Sequence, residues 1–437
     1  MQRRRVAITG IGMVTPVGND VASTWDALLA GRSGGAPIAQ FDASGFSTRI
    51  AAEVKDFDLR AVLDDRKLVK YANRSHGFAL AAAEQAIVDA GIRPTAETAT
   101  RWALCVGTGM IGVPYEELEE VHDHCVRDGE FDPKRLLDDA SANDPMVFCR
   151  SQAAAGLALL GRRYDIRGYA TSVHTACASG GQAVGTALKV IRRGGADFAL
   201  AGGFDSMINP VGLSGFCLLS AVSPDNDAPT RASRPFDVTR NGFLLGEGSG
   251  FLVLEEWESA RRRGAHIYAE LAGDGNSLSS YRITDSPPDG DGPIQAMQQA
   301  LADAGMAIEA LDYINAHGTS TPMNDRSESA AIKAVFGAHT ARIGVSSTKS
   351  SMGHLIAAAG AVEAIACALA IDRSEMPVNA NLETVDPDCE HLAIVRGTPR
   401  RGLIRGALSN SFGFGGSNSC VVFRHPDETD AQLAAGR

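Results

Sequence analysis

The chain has 437 residues, 44% hydrophobic and 21% charged, which is enough apolar material for a substantial core and rules out a disordered chain. A formal net charge of −11 with no long basic run argues against nucleic acid as the main partner. No stretch supplies the roughly 18 uninterrupted apolar residues of a membrane helix, and the eight cysteines lie singly, without zinc-knuckle pairs or disulfide-scaffold density, so the expectation is a soluble cytoplasmic protein of two packed halves.

Val6-Ala-Ile-Thr-Gly-Ile-Gly12 reads as a buried strand running into a glycine turn, without the GxGxxG spacing of a nucleotide loop. Helices are predicted over 19–30 and 71–90, the second alanine-rich and closed by Gly91. Before and at the start of the second, Arg66, Lys67, Lys70 and Arg74 cluster, either as a solvated face or as a docking patch for an acidic or phosphorylated partner. A strand at 102–107 is followed by predicted helices over 116–124 and 146–160. Another strand, at 196–203, leads to a mixed segment at 210–220 that reads as a loop containing Phe216, and 246–254 reads as a central strand before a charged helix over 256–263. The boundary between halves is placed here, at 1–262 and 263–437.

The second half repeats the pattern: strands at 267–272, 312–316, 343–347 and 419–423, and helices over 292–305, 325–336 and 355–371. Strand, glycine turn and alanine-rich helix in both halves imply layered helix/sheet/helix packing twice over. The duplication is read from element order; no residue-by-residue repeat is visible.

Cys177 stands between small residues and a predicted helix over 182–191, where unpaired backbone N–H groups favour a thiolate. By itself it reads more readily as a buried structural thiol than as a nucleophile. His317 and His354 each follow an apolar strand-like run and sit among small or polar residues, which leaves their imidazoles facing a cavity. Three chemistries use such a set. Zinc binding needs a ligand signature that neither histidine has, and would blunt the nucleophile. A cysteine hydrolase gives work to one histidine. Decarboxylative carbon–carbon bond formation uses both, because two N–H donors can hold an enolate oxygen.

Thr175-Ala-Cys-Ala-Ser-Gly180, Asn315-Ala-His-Gly-Thr-Ser-Thr-Pro322, Lys349 with His354, and Asn410-Ser-Phe-Gly-Phe-Gly-Gly-Ser-Asn418 together resemble the beta-ketoacyl-acyl-carrier-protein synthases of the elongating type II kind, over residues 4 to 425. The resemblance implies a thiolase fold, an α/β protein of duplicated halves layered α/β/α/β/α, assembled as a homodimer or paired with a related ketosynthase-like subunit. It implies that Cys177 accepts the acyl group, that His317 and His354 bind the malonyl thioester oxygen, and that Lys349 tunes the field at His354. Glu328 is implied as the buried partner of Lys349, with Asp325 beside it. Thr319 and Thr321 are implied to bind the pantetheine arm; Phe414 is implied as a gate whose N–H completes an oxyanion hole with that of Cys177; Met110 and Phe216 are implied to line the acyl pocket.

No metal and no enzyme-bound cofactor follow from the resemblance, and phosphopantetheine arrives on an acyl carrier protein, for which the 66–74 cluster is the candidate docking patch. Two departures bear on substrate choice: Tyr281-Arg282-Ile-Thr284 with the added Asp285, and Lys349-Ser-Ser-Met-Gly-His354. They leave fatty acid and specialised polyketide synthesis both open. A malonyl-thioester decarboxylase, an acyl hydrolase, the catalytic subunit of a heterodimeric ketosynthase pair and a non-catalytic chain-length or scaffold subunit are the alternatives.

Overall fold

Every residue of the first strand, β1 (Val6–Val14), is buried on both faces, which is why its sequence is a continuous apolar and glycine run instead of an alternation. The structure, a computed structural model, describes residues 3–63, 66–109, 115–138 and 144–427. The first half adds β2 (Trp102–Thr108), β3 (Ala170–Val173), β4 (Phe198–Ser206) and β5 (Glu247–Glu256). The second holds β6 (Ala269–Leu278), β7 (Tyr313–Asn315), β8 (Gly344–Ser346), the short β9 (Ala393–Ile394), β10 (Gly406–Phe412) and β11 (Ser417–Arg424).

These form one eleven-stranded sheet in the order β9-β8-β7-β10-β11-β6-β1-β5-β4-β2-β3. Its middle is thin: β1 and β6 are matched only at Ala7↔Glu270 and Ile8↔Ala269. Outward from that join, the first half runs β1-β5-β4-β2-β3 with two antiparallel and then two parallel pairings. The second runs β6-β11-β10-β7-β8 in the same senses, with β9 added in parallel. The internal repeat that no residue match disclosed is therefore explicit in the topology. It extends to detail. Both leading strands carry a register break, between Ile8 and Gly10 and between Leu271 and Gly273. Gly10 and Gly273 each lie where a Cβ would meet a helix carbonyl, Ala86 O at 2.2 Å and Ala300 O at 2.3 Å.

The helices complete five layers. The outer α1 (Arg74–Ala90) covers β1 and β5, and α3 (Asp291–Ala304) covers β6 and β11 with α4 (Pro322–Phe336) beside it. Between the sheet halves lie α2 (Ser179–Arg192) and α5 (Ala359–Arg373), each touching strands of both. Val184, Leu188, Ile365 and Leu369 from these two helices share the central core. Among the described residues no helix is long and apolar enough to cross a membrane.

Several boundaries differ from the sequence expectation for identifiable reasons. The helix expected from 71 starts at Arg74, because Asn73 accepts a hydrogen bond from His76 N while His76 Nδ1 accepts one from Asn73 N. The single helix expected over 146–160 is two, Pro145–Arg150 and Ala155–Tyr164. The expected loop after Pro210 is a helix, Pro210–Leu218, capped by Asn209 with proline in its first turn. The helix expected from Leu355 starts at Ala359, behind a tight turn at Ile356–Ala358.

The starts of α2 and α5 cross with backbone in contact. A Cβ on Gly360 would lie 2.5 Å from Gly181 N, and one on Gly180 would lie 2.8 Å from both Ala357 O and Ala361 N. Gly360→Ala is therefore expected to push the central helices apart and destabilise the protein by roughly 1–3 kcal/mol, read by urea unfolding, and to slow alkylation-sensitive chemistry at Cys177.

Candidate active site

Cys177 lies in a one-turn 3-10 segment, Ala176–Ala178, that runs directly into α2. The turn is tight enough to hold Ala176 at φ +50°, and Ser179 ties it, its Oγ accepting from Thr175 N at 2.9 Å and donating to Ala176 O at 2.7 Å. The sulfur is buried against Phe243 and Ile356, with Phe216 and Phe414 at the edge of the cluster. Burial pushes the thiol up to about 12, against the pull of the Lys349 ammonium and the Phe414 N–H, with the Asp205 and Glu363 carboxylates adding to the rise. The thiolate expected from the helix start is thus disfavoured at this cysteine, because the apolar wall outweighs the donors.

His354 is held by its own backbone, its N donating to Leu244 O at 2.7 Å and its O accepting from Gly246 N at 2.9 Å. Ile356 N donates to His354 Nδ1 at 3.2 Å, which leaves the proton of the neutral ring on Nε2, 3.0 Å from Cys177 Sγ. His317 follows β7, and its ring lies 5.3 Å from that of His354 at an interplanar angle of 83°. Burial, then the charge of Lys349, holds both imidazoles well below the usual histidine range; for His317 the neighbouring His354 adds to this. Both are neutral at physiological pH. One ligand atom from each of Cys177, His317 and His354 lies within 4.8 Å of the others.

The carboxylates are distributed differently from the expectation. Lys349 pairs with Glu363 of α5, both 1% exposed, and not with Glu328. Glu328 instead accepts from His317 N and Gly318 N, each at 2.8 Å, and from Asn410 Nδ2 at 3.0 Å. Burial lifts its carboxyl to about 7 against those donors. It fixes the backbone that presents His317. Asp325 belongs to a separate buried group, pairing with Arg240 at 3.2 Å and accepting from Phe236 N at 2.9 Å. Glu363 was legible in principle, as the single charge between two apolar stretches of α5; spacing alone could not choose between two buried glutamates.

A chamber of about 220 Å³ opens on the sulfur, and both histidines, Phe216, Phe414, Thr319 and Thr321 are among its lining residues. Thr319 Oγ1 and Thr321 Oγ1 lie 2.8 Å apart on its wall, and Ile283, Thr284 and Asp285 of the altered loop also line it. Arg282 pairs with Asp285 at 3.3 Å. Met110 lies outside the described residues, as does the side chain of Arg66. Lys67 and Lys70 are exposed beside α1. Arg74 leaves the surface cluster: its Nη2 donates to Val54 O at 2.7 Å and to the fully buried Glu247 at 2.6 Å, because that carboxylate has to be compensated.

A nucleophilic thiol and two neutral imidazoles around one apolar chamber suit a reaction in which an acyl group is parked on sulfur while negative charge develops on a second thioester oxygen. Set on duplicated five-strand units, that combination defines a condensing enzyme of the thiolase fold. The particular family follows from comparison with known proteins. The chain belongs to the beta-ketoacyl synthases: residues 3–260 match the family's N-terminal domain and residues 268–383 its C-terminal domain. It is 42% identical over 422 residues to the 3-oxoacyl-acyl-carrier-protein synthase 2 of Coxiella burnetii, covering 97% of this chain and 99% of that one. A putative polyketide beta-ketoacyl synthase 1 of Streptomyces cyaneus is 41% identical over 425 residues, covering 97% and 98%. Among solved structures, the ishigamide ketosynthase/chain length factor superposes with a TM-score of 0.86 at 36% identity, covering 97% of this chain and 99% of that chain.

Removing one member of the Lys349–Glu363 pair strands the other in the core. Lys349→Met is expected to destabilise the protein by about 3–5 kcal/mol in urea unfolding, whereas Lys349→Met with Glu363→Leu recovers most of that stability without recovering turnover.

Proposed function

We propose that the protein condenses an acyl group held on Cys177 with a malonyl group delivered on an acyl carrier protein, giving a beta-ketoacyl carrier two carbons longer and carbon dioxide. The observation that carries this reading is the pair of neutral imidazoles beside the sulfur, with the His354 proton held on the nitrogen that faces it. A simple thiol hydrolase has no use for a second neutral donor.

In the first half-reaction the Cys177 sulfur bonds to the acyl carbon and the carrier's C–S bond breaks; the thiol proton leaves with the carrier sulfur. Backbone N–H groups of Cys177 and Phe414 hold the oxyanion. In the second, the malonyl C–C bond to its carboxylate breaks, carbon dioxide leaves, and the electron pair becomes an enolate whose oxygen takes hydrogen bonds from His317 and His354. Its carbon attacks the acyl carbonyl, the new C–C bond forms, and Cys177 leaves as thiolate and takes a proton from solvent. Neutral imidazoles suit this step: they donate to the growing charge without drawing the malonyl carboxylate into an ion pair. Lys349 and Glu363 set the field around His354, and Thr319 and Thr321 hold the pantetheine arm.

The division at 262/263 gives the nucleophile to one half and the histidines with the glycine-rich gate to the other. Homodimerisation is supported by β3, which ends the sheet with an outer edge that no described strand pairs; a ketosynthase-like partner is supported by the likeness to a ketosynthase/chain length factor. The compartment is read as cytoplasmic. Phosphopantetheine comes with the carrier.

Incubating the protein with saturated and unsaturated acyl carriers plus malonyl carrier, and weighing the intact carriers, is expected to give a beta-keto product two carbons longer, lost in Cys177→Ala. Free acetyl carrier alone would make the protein a decarboxylase, and released acid a hydrolase. The preferred primer separates fatty acid from polyketide work. For docking, reversing Arg66 and Lys67 to glutamate is expected to weaken acylation by carrier-bound substrate about tenfold while leaving acylation by a small thioester near wild type; equal loss on both would move the docking site elsewhere.

A further inference from the structure

One buried carboxylate close to the sulfur has no part in the mechanism above. Asp205 is the penultimate residue of β4, is 4% exposed, and does not line the chamber that holds Cys177. Its Oδ2 accepts from Ala357 N at 3.0 Å and its Oδ1 from Ser206 N at 2.9 Å. Ala357 is the middle of the Ile356–Ala358 turn, whose first residue has φ +49°. That is the left-handed region, which a β-branched side chain enters only where its surroundings over-determine it.

The strained residue is the one whose N–H donates to His354 Nδ1. With Ile356 in an ordinary right-handed or extended conformation the 355–357 peptides would rotate, and that N–H would leave the imidazole. Gly109 makes room for the arrangement from a different element: a Cβ there would lie 2.2 Å from Asp205 Oδ2. Gly203, on the same strand as Asp205, likewise lets Ala357 O approach where a Cβ would stand at 2.7 Å. β4 therefore grips the turn at Ala357 N–H and leaves the space its C=O occupies.

We propose that Asp205 is a positioning residue: by gripping Ala357 N–H it keeps Ile356 in its strained conformation, and so keeps the His354 proton on the nitrogen that faces Cys177 and the substrate. The proposal deepens the condensation reading, on which it rests for the use to which that proton is put.

Asp205→Asn keeps the shape, but its amide can offer only one oxygen to two N–H groups. With histidine labelled in ¹⁵N, long-range ¹H–¹⁵N correlation is expected to find His354 as the Nε2–H tautomer in the wild type and as a mixture in Asp205→Asn. Decarboxylation of malonyl carrier should fall about tenfold in kcat with little change in KM, while iodoacetamide still labels Cys177. Asp205→Glu, which retains two carboxylate oxygens, should recover more of that kcat than Asp205→Asn has. Gly109→Ala, which crowds the carboxylate from outside, should reproduce the tautomer mixture and serves if Asp205→Asn does not fold. An unchanged His354 tautomer in folded Asp205→Asn or Gly109→Ala overturns the proposal, as does a change confined to acyl-chain preference. A wild type with a single Nε2–H tautomer but no decarboxylation would instead remove the condensation reading and leave the positioning claim to the spectrum.

Discussion

The close crossing of two helix starts sets everything else in this molecule. Cys177 and His354 are 177 residues apart in the chain, and their atoms meet at 3.0 Å because α2 and α5 begin against one another with only glycine between their backbones. Gly180 and Gly360 act as spacers of zero thickness, bringing the turn ahead of each helix to the same point. A methyl group there would push apart two packed helices that also form the middle layer, so the site and the core share one tolerance.

Around that crossing the protein removes water from several ionisable groups and compensates each locally. Lys349 is paired with Glu363, Arg74 with Glu247, and Arg240 with Asp325 and Asp386. Glu328 is compensated by backbone N–H groups and an amide in place of a cation. Among the described residues no carboxylate pairs with either histidine, and burial with Lys349 keeps them neutral. Burial thus works against a free thiolate at Cys177 while keeping two neutral N–H donors beside it.

Much of this was legible in the residues. The strand–turn–helix order in both halves, the cysteine at a helix start and the two histidine turns are local patterns, and local patterns survive translation into structure. Partner choice among buried charges was not legible. Glu328 and Glu363 both lie on helices within reach of the site by chain order, and only the packing of α5 between the sheet halves gives Glu363 to Lys349. Arg74 read as one more surface cation because its partner, Glu247, is 173 residues away. The helix at Pro210–Leu218 was hidden by glycine and serine, which lower helix propensity but do not prevent a capped, packed helix.

What the sequence by itself determined is the kind of protein: alternating buried strands and alanine-rich helices, a nucleophile, two neutral-capable bases, and motifs specific enough to name a family. The tertiary structure decided the exact repeat of strand order and register break between the halves, the pairing of each buried charge, and the tautomer of His354. The reason is range. Propensity and capping act within a turn or two of chain, whereas a buried charge or a thiol answers to whichever group is nearest in space, and here that group lies up to 177 residues away.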